Sequence, residues 1–290
     1  MKDKENSFQK VLEELKAGID IKIKDFLDNS QELKEFIKFR RKHFYSYSVR
    51  NSVLIYKQNP LASFVAGYKK WEELGYYVSK GSKGIKILIP LIRKNEEEET
   101  KELCVYGYKY CNVFDISQTE AGENAVAIPS IDTRLKISEN SQYNEEKLYY
   151  KTKEIIEQYV SVEKIKNLGR ARGMTDGEKI YVVENDYTAM TGTLVHEFIH
   201  FMNHFKKERK KINKNEEETE AELGAMIYGS YFNLDVSGKY KYLAGYRKGI
   251  DLGKCFNTAL KTFELLVYGN EEKKGLDEIL MEEQEWKIYI

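Results

Sequence analysis

The sequence predicts an α+β protein of two domains: a mixed α/β N-terminal domain over residues 1–125 and a helix-rich C-terminal domain over residues 126–290. Three observations predict it. Strand-type runs at 76–92 and 103–114 lie among helical segments in the first half. The second half is dominated by helical spacing, with one short β-branched run just before His196-Glu197-Phe198-Ile199-His200. Between the halves, residues 119–145 are polar and irregular, contain Pro129, and read as a linker.

The elements follow in order. Phe8, Val11, Leu12, Leu15 and Ile19 predict an amphipathic helix over 7–28, followed by helices over 31–44 and 45–57, ended by Pro60. Residues 64–67 read as a short strand or turn, and 69–74 as a helical turn closed by Gly75. Tyr76-Tyr77-Val78, the loop Lys80-Gly81-Ser82-Lys83-Gly84 and the apolar run 85–92 predict a β-hairpin. Glu96 to Glu99 form a solvated turn, and 103–114 another strand. In the second half, 146–160 is helical, Asp176-Gly177 marks a turn, and 179–183 is a strand. The helix with the pentad follows, with Thr188 or Thr191 as its N-cap. A lysine-rich loop at 206–215 leads to helices at 216–231 and 242–268.

Net charge is zero, from 47 basic and 47 acidic residues, but the charges are segregated. Residues 34–94 hold fourteen Lys and Arg against three Asp and Glu, which suits a polyanion. The three cysteines form no C-x-x-C pair and do not read as a disulfide framework, so a reducing cytoplasm is expected. The N-terminus lacks an apolar signal core and no stretch approaches 18 apolar residues, which argues against a membrane partner.

The pentad carries the chemistry. Histidines at i and i+4 share one helix face and can share a metal ion, and Glu197 sits where a general base for a water beside that ion would sit. A catalytic zinc takes three protein ligands. The acidic helix downstream offers Glu218 and Glu222, which share a face, whereas Glu220 points elsewhere. Glu218-Thr219-Glu220-Ala221-Glu222 resembles the E-x-x-x-D element of gluzincin-type metallopeptidases, which favours Glu218 as ligand and Glu222 as its hydrogen-bonded support, the roles being exchangeable. His204 lies too far along a straight helix to join the same ion. The strand 179–183 is expected as an edge strand that holds a peptide substrate.

In the first half, basic residues interleave with aromatics from Tyr45 to Lys86, a pattern that combines phosphate neutralisation with base stacking. Tyr45-Ser46-Tyr47-Ser48-Val49-Arg50-Asn51-Ser52 leads through Pro60 to Val65-Ala66-Gly67-Tyr68-Lys69-Lys70-Trp71, then to Lys80-Gly81-Ser82-Lys83-Gly84 and Val113-Phe114-Asp115-Ile116-Ser117-Gln118-Thr119. This series, with H-E-x-x-H and Ala221-Glu222-Leu223-Gly224-Ala225 in the second half, resembles the ArdC family of antirestriction proteins of plasmids, phages and other mobile elements. The chain departs from the family after the second histidine, where Asn203 stands near an expected glycine. The resemblance implies a single-stranded-DNA-binding domain joined to a zincin-like metallopeptidase domain with one zinc ion. It places Arg50, Asn51, Tyr68, Trp71, Lys80, Lys83 and Lys86 on or near the path of the strand, with Tyr68 and Trp71 suited to stacking bases, Trp71 suiting the core equally, and Gly81 and Gly84 letting backbone amides approach phosphate. Two other readings stay open at this level: a metallopeptidase that cleaves a specific repressor, and a non-catalytic DNA-binding protein with a structural metal.

Overall fold

The computed structural model describes residues 2–44, 46–94, 103–128, 144–206, 213–234, 250–270 and 272–276. The chain divides into two compact units, Met1–Phe26 with Glu35–Leu135 and Leu27–Lys34 with Lys136–Ile290. Both helices and sheets are present, so the fold is α+β.

The chain begins with helices α1 (Lys2–Asp28) and α2 (Ser30–Phe39), of which residues 27–34 count with the second unit, then a π-helical turn at Arg40–Phe44 and α3 (Val49–Gln58). Phe26, Phe36, Phe39, Phe44 and Tyr56 form an aromatic core among them. The buried Arg40 donates to the carbonyls of Phe44 and Tyr47 and to Ser52 Oγ, which locks the π-turn to the start of α3. Ser48 caps α3 by accepting from Asn51 N, so that helix starts at Val49 rather than 45.

Strands β1 (Val65–Ala66), β3 (Ile85–Lys94) and β4 (Leu103–Asp115) form an antiparallel sheet in the order β1-β4-β3. Tyr106 is an extra residue opposite the Leu91–Ile92 step, a β-bulge. After the short helix α4 (Tyr68–Glu73), β2 (Tyr76–Val78) pairs with β5 (Thr119–Ala121), not with β3. The expected hairpin is therefore β3–β4, and the lysine loop between β2 and β3 crosses from one sheet to the other. Hydrogen bonds from the loop to Gln118 redirect the chain there.

The second unit contains α5 (Glu145–Glu157), β6 (Ser161–Ile165), β7 (Gly173–Thr175), β8 (Lys179–Val183), α6 (Tyr187–His200), a π-helical turn at Phe201–Phe205, α7 (Lys214–Tyr231) and α8 (Leu252–Tyr268). Its sheet has the order β6-β8-β7, parallel between β6 and β8 and antiparallel between β8 and β7. Residues 179–183 are thus the central strand, and β7 is the edge expected of them. Ile180 and Val182 are fully buried on the helix side, as a central β-branched strand requires. Gly173 lets β7 close in, since a Cβ there would stand 3.0 Å from Tyr181 O and 2.5 Å from Thr193 Cγ2. The cap of α6 is Asp186, which accepts from Ala189 N at 2.8 Å; Thr188 and Thr191 lie inside the helix. The expected turn at Glu96–Glu99, Tyr45, most of the linker and residues 242–249 lie outside the described residues.

Candidate functional site

Helices α6 and α7 pack against each other, with buried Ile199 of α6 set against Gly224 of α7. The approach is close: a Cβ on Gly224 would lie 1.9 Å from Ile199 Cδ1. This contact carries the polar faces of both helices together. His196 Nε2 and His200 Nε2 stand 3.1 Å apart, and the same Glu218 oxygen lies 3.7 Å from the first and 3.8 Å from the second. The latter separations are too long for hydrogen bonds. A tetrahedral ion with ligands near 2.0–2.1 Å separates its donors by about 3.3 Å. The three observed separations bracket that value, so two imidazole nitrogens and one carboxylate oxygen fit a divalent cation. Of the described residues, only this trio forms such a group of donors.

Glu222 takes a different position. Its Oε1 is 3.5 Å from His196 Nδ1, the nitrogen that faces away from the trio, and its Oε2 is buried with no hydrogen-bond partner among the described residues. Glu218 thus faces both Nε2 atoms and Glu222 grips one ring from behind. Glu220, 1% exposed, points elsewhere, as its phase predicts: its Oε2 lies 3.7 Å from Nε2 of His204. His204 is buried, because the π-turn after His200 carries it inward.

The electrostatics follow from burial and charge. Burial pushes the Glu197 carboxyl above the usual carboxylate range, although His196 and His200 pull the other way. Glu218 is held well below that range by the two imidazoles facing it, His196 and then His200. Burial works against protonation of His200, but Glu218 and Glu197 beside it outweigh burial and raise its value. Gly173 of β7 stands over the face of α6 that carries Glu197: a Cβ there would be 3.1 Å from Glu197 Cγ. The edge strand therefore runs beside the buried glutamate.

In the first unit, the seven residues expected on the DNA path separate into two groups. Asn51 uses its whole amide on one residue, donating to Leu88 O and accepting from Leu88 N, both at 2.9 Å. Gln58, seven residues on and on the same helix face, does the same to Lys86, so α3 satisfies the outer edge of β3. Trp71 is 0% exposed, donates from Nε1 to Phe114 O at 2.9 Å, and packs edge-on against Phe64 and Tyr76. It belongs to the core, the second of the two roles that its sequence context suits, and not to a base-stacking surface. Arg50 and Lys86 are half-buried, whereas Tyr68, Lys80 and Lys83 are exposed. Gly81, with φ +88°, has open space where a Cβ would stand; Gly84 has none, because a Cβ there would lie 2.7 Å from Asn112 Cβ. The second glycine serves packing rather than phosphate approach. Tyr77, one of the interleaved aromatics but outside the seven residues, is 60% exposed. The alternation of β2 signals it, since Tyr76 and Val78 face inward and Tyr77 outward.

Residues 2–129 match the family model for the N-terminal domain of anti-restriction factor ArdC. The N-terminal part of the chain is therefore similar to that domain family. An uncharacterized protein of Bacillus anthracis is 24% identical over 308 aligned positions, which cover 88% of this chain. The chain spans about half the length of that curated relative, 50%. Crystal structures of the antirestriction ArdC protein from the R388 plasmid are also similar. The metal-free structure is 18% identical with a TM-score of 0.44, covering 76% of this chain and 83% of that chain. The Mn(II)-bound structure is 16% identical with the same score and coverage, 0.44, 76% and 83%. No helix among the described residues is long and apolar enough to cross a membrane.

Proposed function

We propose that this ArdC-like chain is an antirestriction protein of a plasmid or related mobile element, that it binds single-stranded DNA through the first unit, and that it holds one divalent cation at a peptidase-type centre in the second. The convergence of His196 Nε2, His200 Nε2 and a Glu218 oxygen around one point carries the metal half of this reading. Zinc suits two imidazoles and a carboxylate from a helix pair. Bound there, the cation supplies Lewis acidity toward a carbonyl oxygen. Glu197, buried and raised, takes a proton from water at the carbonyl and returns it to the leaving group. Glu222 fixes the His196 ring, and the edge of β7, which pairs only with β8 among the described residues, offers an extended peptide its backbone. The matched N-terminal domain, the exposed Lys80 and Lys83, and the exposed rings of Tyr68 and Tyr77 support a single-strand partner, through phosphate neutralisation and stacking.

Metal analysis of the purified protein tests the centre. One equivalent of divalent metal is expected, and His196→Ala should lose it; a wild-type protein without stoichiometric metal refutes the reading. Glu197→Gln should retain the metal. If that variant also retains full antirestriction in cells, the centre serves structure rather than hydrolysis.

A further inference from the structure

The series from Val113 to Thr119 has no role in the function proposed above, yet its side chains organise the lysine loop. Asp115, 1% exposed, accepts from Ser63 N and Phe64 N through Oδ1 and from Ser117 N and Oγ through Oδ2. Gln118 Oε1 accepts from Asp115 N at 3.0 Å, which closes a capping box around the turn. The rest of Gln118 is turned to the loop. Its Nε2 donates to Lys83 O at 3.0 Å, and its carbonyl accepts from Ser79 N at 2.9 Å and from Ser82 Oγ at 3.5 Å. A further bond, Ser82 N to Ser79 O at 3.1 Å, tightens the loop from within. One residue thus grips both ends of a five-residue segment, Ser79 to Lys83, whose two lysines are exposed.

We propose that Gln118 is a positioning residue for single-stranded DNA: anchored by buried Asp115, it holds the Ser79–Lys83 loop so that Lys80 and Lys83 present their ammonium groups to successive phosphates. The inference rests on the single-strand reading and deepens it. A lysine on a free loop must be ordered when phosphate binds, and that entropy is lost from affinity; a loop held beforehand avoids the loss. Gln118 itself touches no phosphate in this arrangement, because both ends of its amide are engaged by Asp115 and Lys83.

The test is binding of a fluorescein-labelled oligothymidylate to the full chain, by anisotropy at several salt concentrations. Gln118→Met keeps the length of the side chain and removes both amide bonds. It should weaken binding about tenfold, a loss of preorganisation without loss of charge. The salt slope should fall toward that of Lys80→Ala/Lys83→Ala, whose own decrease is up to about 1.4, at about 0.7 per phosphate contact on single strands. In the double-alanine background, Gln118→Met should cost no more than about twofold further, because the lysines it positions are absent. Equal losses in both backgrounds, or an unchanged salt slope, overturn the proposal and leave Gln118 a structural residue. Should Gln118→Met fail to fold, Gln118→Glu enters the same cycle, since it keeps the bond from Asp115 N and loses the donor to Lys83 O. A wild-type protein that does not bind the oligonucleotide overturns the single-strand reading and this inference together; one that binds, with additive losses, overturns this inference alone.

Discussion

Gly224→Ala should push α6 and α7 apart, and the structure sets the size of the effect. The new methyl would stand 1.9 Å from Ile199 Cδ1 and 3.2 Å from Ile199 Cγ1. Carbon atoms in contact prefer about 3.5–4.0 Å, so relief demands a shift of well over 1 Å by a side chain that is itself 1% exposed. Overpacking of this kind costs about 1–3 kcal/mol, against a gain of up to about 1 kcal/mol from replacing glycine inside a helix. Ile199→Val removes the offending Cδ1 and by itself costs about 0.5–1.5 kcal/mol. The double variant should therefore be less destabilised than the two singles together, by about 1 kcal/mol or more, because the 1.9 Å contact no longer exists. Urea unfolding measures this, and the transition that shifts on adding metal reports the unit that holds the site. The same helix pair supplies His196, His200 and Glu218, so Gly224→Ala should also weaken metal binding and Ile199→Val should restore part of it. Additive stability losses, within about 0.5 kcal/mol, would refute the argument that this contact sets the helix approach.

Four further outcomes are expected. Glu222→Gln should lower metal affinity about 10- to 100-fold in chelator competition without abolishing binding, because it supports His196 from behind rather than contributing a donor. Metal affinity should fall as pH falls, and the fall should begin above 6.5: His200 is raised from 6.5 in the metal-free site, and a proton on Nε2 competes with the cation, so acid favours release. A flat affinity between pH 8 and 6 would contradict that sign. Trp71→Ala should cost about 3–5 kcal/mol of thermal stability as a buried ring is lost, while Tyr77→Ala should leave the melting temperature nearly unchanged and weaken oligothymidylate binding by about 1–3 kcal/mol.

Much of the first unit was legible because its signals are local. Helical spacing, Pro60 and the strand runs mark elements whose existence depends on a few neighbours. Strand partners were not legible to the same degree. Tyr76-Tyr77-Val78 and the run from Ile85 read as a hairpin because they are adjacent, yet β2 pairs with β5 and β3 with β4. The information that separates them lies in Gln118, more than thirty residues from the loop it holds, as its bond to Lys83 O shows. Trp71 was ambiguous for a related reason. An indole beside lysines suits either a base or a core, and only the carbonyl of Phe114 and the rings of Phe64 and Tyr76 decide for the core.

The candidate metal site shows the same division at finer scale. Two histidines four residues apart on one helix must share a face, so His196 and His200 needed nothing beyond helix geometry. The choice of the third donor could not be made that way, because Glu218 and Glu222 are themselves four residues apart on one face of α7 and are equivalent by periodicity. What separates them is how far along α6 the second helix makes its contact, and that is set by the packing of Gly224 against Ile199. With the two helices held at this contact, Glu218 faces both Nε2 atoms and Glu222 reaches only Nδ1 of His196. Displacing α7 by one helical turn, about 5.4 Å, would put Glu222 in the place of Glu218 and Met226 in the place of Glu222. A glycine with no chemistry of its own therefore assigns the chemistry of two glutamates, which is why its replacement should register in metal affinity as well as in stability.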